Sequence, residues 1–204
     1  MSCLLPYRIL LRYRHLLLTA ILLLACMSSH AAIYKIDPVH TNVRFAIEHF
    51  NNSSTSTGGF YQVIGQLEYD PDAKTGNISL IIPIKSLNTG SESFNKKLAG
   101  RDFFDMAQFP LAYFESTKWY FIIDKARSEV ARVDGKLTLH GETHPITLTA
   151  TKFDCYVSAA LKKSVCGGDF TTLIDRTKWK INKYTLLGMA KNLRLDIRVE
   201  AIRL

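Results

Sequence analysis

From Tyr34 onward the chain alternates apolar and polar positions with a period of two. Val43, Phe45, Ile47 and His49 alternate with Asn42, Arg44, Ala46 and Glu48, and Ile78, Leu80, Ile82 and Ile84 alternate with Asn77, Ser79, Ile81 and Pro83. The pattern returns at Val133, Gly135, Leu137 and Leu139, at Phe170, Thr172, Ile174 and Arg176, and at Leu193, Leu195, Ile197 and Val199. Such alternation predicts strands with one wet and one dry face. Turn signals at Asp70-Pro71-Asp72, Lys74-Thr75-Gly76, Gly141-Glu142-Thr143 and Gly167-Gly168 separate them. Many short alternating strands with such breaks predict an all-β sandwich or barrel rather than a parallel α/β sheet. One helical interruption is expected between Asn88 and Gly100. There Thr89 with Glu92 fits a capping box, and Phe94 and Leu98 share one face.

Residues 1–31 break the pattern. Arg8, Arg12 and Arg14 precede an apolar run from Leu16 to Ala25, too short to span a bilayer comfortably, and Ser29-His30-Ala31 supplies small residues for cleavage. That order reads as a secretory signal peptide over residues 1–31, followed by a single domain over 32–204. Of 204 residues, 173 would remain, enough for a sizeable core. An alternative stays open: Leu23-Leu24-Ala25-Cys26 resembles a lipoprotein box, and acylation of Cys26 would anchor the protein.

Charge and cysteine usage narrow the functional classes. The formal net charge of +8 includes three arginines and no acid from the leader, so the domain carries 23 basic against 18 acidic residues. A balance of +5, spread along the chain apart from Lys178, Lys180 and Lys183, lacks the basic stripe of a nucleic-acid binder. It leaves peripheral contact with anionic membranes open. With Cys3 and Cys26 in the leader, Cys155 and Cys166 remain, and an even pair in an exported chain reads as a structural disulfide across a hairpin.

An ordered series of motifs carries a family resemblance. Tyr34-Lys35-Ile36-Asp37-Pro38-Val39-His40-Thr41 opens it, followed by Phe45, His49 and Gly59-Phe60. Leu98-Ala99-Gly100-Arg101-Asp102-Phe103-Phe104-Asp105 comes next, then Pro110, Phe114 and Ser116. Val133-Asp134-Gly135-Lys136-Leu137-Thr138-Leu139-His140-Gly141, Pro145, Leu148 and Arg176 complete it. In this order the motifs resemble the YceI-like family of periplasmic, lipocalin-like proteins over essentially the whole of 32–204. Trp179-Lys180 stands where the family usually has Phe-Gly, and the Cys155–Cys166 hairpin replaces a Gly-rich crossing. The resemblance implies an extended antiparallel barrel of about eight strands with a short helical insertion and a long apolar channel. It further implies periplasmic residence and binding of polyisoprenoids, isoprenoid quinones or similar lipids, with no cofactor and no established catalysis.

The candidate ligand-binding set is the inward apolar one: Val43, Phe45, Ile47, Leu80, Ile82, Phe114, Leu137, Ile174, Leu195 and Ile197, with His49 and Arg176 at the strand ends. Two readings of each stay open. The apolar residues either line a channel for lipid or fill a solid core. Arg176 either grips a head group or holds the barrel end shut through protein oxygens, and a lone core histidine such as His49 is more often satisfied structurally. His140 and His144 offer only two metal ligands, on a turn, so no metal site is expected. Ser116 and His140 fall on different strands with no nucleophile elbow, so no enzyme is expected. The favoured role is a carrier of a long apolar lipid. The rivals are an exported, stress-related interaction protein with a filled core and an accessory to quinone-handling membrane proteins. Homodimerisation stays open.

Overall fold

The computed structural model describes residues 31–50, 53–124 and 127–204. The expected signal peptide and the Cys26 acylation site lie outside the described residues, apart from Ala31 itself.

The alternating segments form eleven strands: β1 (Ala32–Ile36), β2 (Asn42–Glu48), β3 (Thr55–Phe60), β4 (Ile64–Asp70), β5 (Thr75–Pro83), β6 (Leu87–Asn88), β7 (Leu111–Asp124), β8 (Arg127–Leu139), β9 (Glu142–Val157), β10 (Ser164–Asp175) and β11 (Asn192–Arg203). Every pairing is antiparallel, and eight strands close a ring in the order β1-β4-β5-β7-β8-β9-β10-β11, with β11 returning to β1. Closure removes the free edges an open sheet would expose. The chain is therefore a closed eight-stranded antiparallel barrel.

β2, β3 and β6 do not add to the ring; they prolong three of its staves. β1 and β2 lie in succession along β11, with Ile36 opposite Ala201 and Asn42 opposite Arg198. Six steps on one side face three on the other, so part of the Pro38–His40 segment loops out. The buried hydroxyl of Thr41 mends the gap, donating to the Glu200 carbonyl at 3.1 Å and accepting from its N–H at 3.0 Å. Inside, Ile36, Leu67, Val63 and Val133 are almost fully shielded from water, so the dry faces form one core.

Three turn expectations move. Thr75 and Gly76 already pair in β5 opposite Asp70 and Tyr69, so that reversal is made by Pro71 to Lys74. His140 and Gly141, with φ of 49° and 77°, form the two-residue hairpin turn between Leu139 and Glu142, so Glu142 already belongs to β9. Gly167-Gly168 is no turn at all. Both glycines pair inside β10, and a Cβ on Gly168 would meet the Lys152 carbonyl at 2.8 Å. Glycine there serves a close backbone approach rather than a reversal.

The helix α1 (Glu92–Ala99) forms as expected, but its cap is Ser91, whose Oγ accepts from the Phe94 N–H. Thr89 instead bonds Asn95 Oδ1 through both its N–H and its hydroxyl. Gly90, with φ of 80°, turns the chain between them and so shifts the start of the helix.

Cys155 and Cys166 are directly opposite in the β9–β10 ladder, with Cα atoms 4.0 Å apart, and form a disulfide. Nearby, Tyr69 and Phe153 meet edge-on at 5.0 Å between ring centres, and Trp119 lies 6.0 Å from Tyr69 and 5.8 Å from Phe153. These aromatics close the stapled end of the barrel.

Candidate functional site: an apolar cavity under the helical roof

At the opposite end the strands are covered by irregular chain. Phe45 and Ile47 of β2, Leu139 of β8, Ile174 of β10 and Leu193 of β11 form the walls of a cavity of about 50 Å³. Its roof has three parts: Phe94 and Leu98 of α1, Phe103 and Phe104 of the turn that follows, and Ile181 and Met189 of the 176–191 segment. The surface enclosed is apolar throughout. The roof turn is fixed by its own backbone, since Phe104 donates to the Leu98 carbonyl and Met106 to that of Ala99, both at 2.9 Å. This satisfies the carbonyls that the end of α1 would otherwise leave bare.

Among the described residues Arg176 is the one ionisable group in the lining, and its three nitrogens are all engaged. Nε donates to the Ala190 carbonyl at 2.9 Å, one Nη to Ile181 at 2.7 Å and the other to Lys183 at 3.0 Å. Burial lowers the guanidinium pKa, and Asp175 partly opposes that shift. Arginine nevertheless stays charged near neutrality. The donors meet carbonyls from both stems of the 181–190 loop, so Arg176 ties that loop to the end of β10.

Beside it the barrel wall parts. β9 and β10 pair from Val157 opposite Ser164 to Thr149 opposite Thr171, and beyond that point they diverge. Trp179, 1% exposed, lies next to the divergence, its indole N–H donating to the Leu137 carbonyl at 3.1 Å. His144 packs edge-on against the Trp179 ring, and His140 Nδ1 lies 3.1 Å from the Trp179 carbonyl. These histidines thus border a tryptophan plug. Ser116, bonded to Asn77 and the Ile78 N–H, has different partners from His140.

The structure gathers Phe45, Ile47, Ile174 and Arg176 of the expected set around the cavity. Leu80, Ile82, Phe114, Leu137, Leu195 and Ile197 are buried in the core but do not line it, and Val43 is half-buried. His49 lies just past β2, half-buried, its ring edge-on to Phe50 at 4.8 Å and outside the lining. Leu139 and Leu193, which share the same alternation, also line the cavity. Ile181 and Met189 had no signal, because the segment that carries them has no period.

A second cluster lies on the loop between β1 and β2. Asp37 Oδ1 accepts from the Val39 N–H, while His40 Nδ1 is 2.7 Å from Asp37 Oδ2 and 4.0 Å from Glu200 Oε1. The hydrogen bond to Asp37, helped by both carboxylate charges, raises the His40 pKa. For Asp37, burial pushes upward, but the His40 and Val39 bonds outweigh it and the net shift is down. These interactions hold the looped-out turn in place.

The fold is thus a closed antiparallel barrel with a largely apolar cavity beneath a partly helical roof. The YceI-like domain model matches residues 34–201, and the chain belongs to that family. A UPF0312 protein of Vibrio cholerae is 26% identical over 195 residues, covering 91% of this chain and 97% of the relative. One from Pseudomonas putida is 31% identical over 189 residues, covering 89% and 92%. Among solved structures, Burkholderia cenocepacia BcnA superposes with a TM-score of 0.62 at 22% identity, over 81% of this chain and 99% of that one. A polyisoprenoid binding domain from Saccharophagus degradans, implicated in plant cell wall breakdown, gives 0.60 at 14% identity, over 86% and 100%. At these identities the structural likeness speaks to the fold.

Proposed function

We propose that this protein binds the apolar chain of an isoprenoid or comparable long lipid between the barrel walls and the helical roof, and that it does so as an exported, periplasmic carrier. The observation that carries the reading is the cavity itself, whose lining is apolar apart from an arginine with each of its nitrogens bonded to a backbone carbonyl. Such a surface selects for hydrocarbon and offers nothing to a polar substrate. The Saccharophagus domain, described as polyisoprenoid binding, supports the same class of ligand. The leader-like residues 1–31 and the disulfide agree with an oxidising compartment.

The size of the cavity adds a requirement. About 50 Å³ is well short of the roughly 150 Å³ that accommodates a benzene-sized guest. A long chain therefore enters only when roof side chains such as Phe94, Phe104 and Met189 swing out. Each buried methylene brings about 0.8 kcal/mol, so a few isoprene units offset that rearrangement. The same small volume favours a second reading, an exported interaction protein whose barrel is simply full.

Native mass spectrometry of the processed protein from an exporting host, without detergent, separates the two. A discrete extra mass, extractable into organic solvent as a long-chain lipid, is the expected result. Ile174→Trp, which fills the cavity, should abolish retention while Ile82→Trp, away from it, leaves more. A clean apo mass with no uptake of offered isoprenoids would sink the carrier reading and leave the filled barrel.

A further inference from the structure

We infer that the loop from Asn182 to Met189 is a membrane-docking tip, through which the cavity meets an anionic phospholipid surface. The inference rests on the lipid-binding reading above and adds the place where cargo would be exchanged.

The loop is held rigidly at its base and presents apolar side chains at its tip. Arg176 grips the carbonyls of Ile181, Lys183 and Ala190, one stem and then the other. Tyr184 and Gly188, with φ of 64° and 94°, bracket a short 3-10 turn over Thr185–Leu187. That turn leaves Leu186 100% exposed and Leu187 70% exposed. Two adjacent leucines offered to water on a stem that is itself well bonded have no use in the fold. Leucines presented in this way suit insertion among acyl chains at a bilayer surface.

Positive charge predominates around the tip, although Asp102 pairs with Lys183 and Glu142 with Lys180. The stretch from Arg176 to Lys191 holds five basic residues and no acidic one. Lys97 and Lys183 place their ammonium groups 5.2 and 5.5 Å from the centre of the Tyr184 ring, and Asp102, 2.9 Å from Lys183, keeps that lysine charged to higher pH. Phosphate-rich headgroups complement such a collar, and the attraction weakens with salt.

The tip is also continuous with the cavity. Tyr184 contacts the rings of Phe50 and Phe103 at 6.3 and 6.2 Å, and Phe103 lines the cavity together with Ile181 and Met189 from the two stems of the loop. A chain rising from the bilayer here would pass the Tyr184 ring and reach Phe103 at the edge of the apolar lining. The stapled end carries a comparable tip, with Tyr156, Val157 and Leu161 exposed next to Lys162 and Lys163, but it adjoins the disulfide rather than the cavity. It therefore serves as the internal control.

The test is co-sedimentation of the processed protein with vesicles of phosphatidylglycerol and phosphatidylcholine, against pure phosphatidylcholine. The wild type should bind the anionic vesicles and lose them at high salt. Leu186→Ser with Leu187→Ser should weaken binding about a hundredfold, whereas Val157→Ser with Leu161→Ser should not. In parallel, uptake of a short soluble isoprenol in vesicle-free buffer should be equal in wild type and tip variant. Undiminished vesicle binding by the tip variant, or loss in the stapled-end variant instead, overturns the docking site. So does a dimer in the native mass spectrum that the tip variant dissolves, since the leucines would then face a second copy. Absence of isoprenol uptake by every form, with vesicle binding intact, overturns the cargo reading and not the docking tip.

Discussion

At the end that holds Cys155 and Cys166 the barrel closes with its own strands, while at the opposite end it closes with chain that is not sheet. In the first region a continuous β8–β9–β10–β11 ladder, a disulfide and the Tyr69–Trp119–Phe153 cluster hold the strands together. In the second, β9 and β10 diverge, Trp179 stands by the gap, and α1 with the 176–191 segment forms a roof over residual space. Hydrogen-bonded strands cannot part without losing several bonds at once, whereas a roof held by side-chain packing can shift piece by piece. On the proposed function, stability and access fall to different ends of one barrel.

The largest effect that tests this division is expected at the plug. Trp179→Ala removes a fully buried ring and should cost about 3–5 kcal/mol by urea denaturation. A cost below about 1 kcal/mol would mean that the gap is closed by something else. Next comes the staple. Replacing Cys155 and Cys166 by serine should cost roughly 2–3 kcal/mol through regained loop entropy and leave lipid uptake unchanged. If uptake changed as much as stability, the two ends would not be independent. Leu98→Ala, on the roof, should cost about 2 kcal/mol, the low end for a core leucine, because the roof relaxes into the gap. Hydrogen exchange should then rise in α1 and not in the strands of the stapled end.

The smallest expected effect is a pH dependence from the Asp37–His40 pair. His40 has a folded pKa above its ordinary 6.5, so its contribution is complete below that value and fades as pH rises through the raised one. Asp37 has a folded pKa below 3.8, so its contribution is present above 3.8 and is lost as pH falls through the lowered one. The thermal midpoint of His40→Ala should therefore trail the wild type most between pH 3.8 and 6.5, with the two converging in alkali. A gap that widened with rising pH would reverse the assignment.

Most of the wall was legible in the sequence, and little of the roof was. Period-two alternation placed Phe45, Ile82 and Ile197 inside because a strand has only two faces to choose between. Phe94 and Leu98 were legible for the corresponding helical reason. The Gly167-Gly168 expectation failed because glycine marks both turns and close approaches, and composition cannot tell them apart. Ile181, Met189 and the ties of Arg176 were hidden because irregular chain has no period, and its contacts exist only after the barrel positions it. The family resemblance supplied closure of the sheet, which alternation alone left open between barrel and sandwich.

The disulfide also records how β9 and β10 are aligned. Cys155 and Cys166 are exact neighbours across the β9–β10 hairpin, and between them and the Thr149–Thr171 pair the register shifts at Asp169 and Phe170. A slip of one residue in an antiparallel pair turns every side chain to the opposite face. In such a slipped hairpin the two sulfurs would point away from each other and could not join. Oxidation therefore records the register of this hairpin, and a chain carrying the bond has already discarded the one-residue slip.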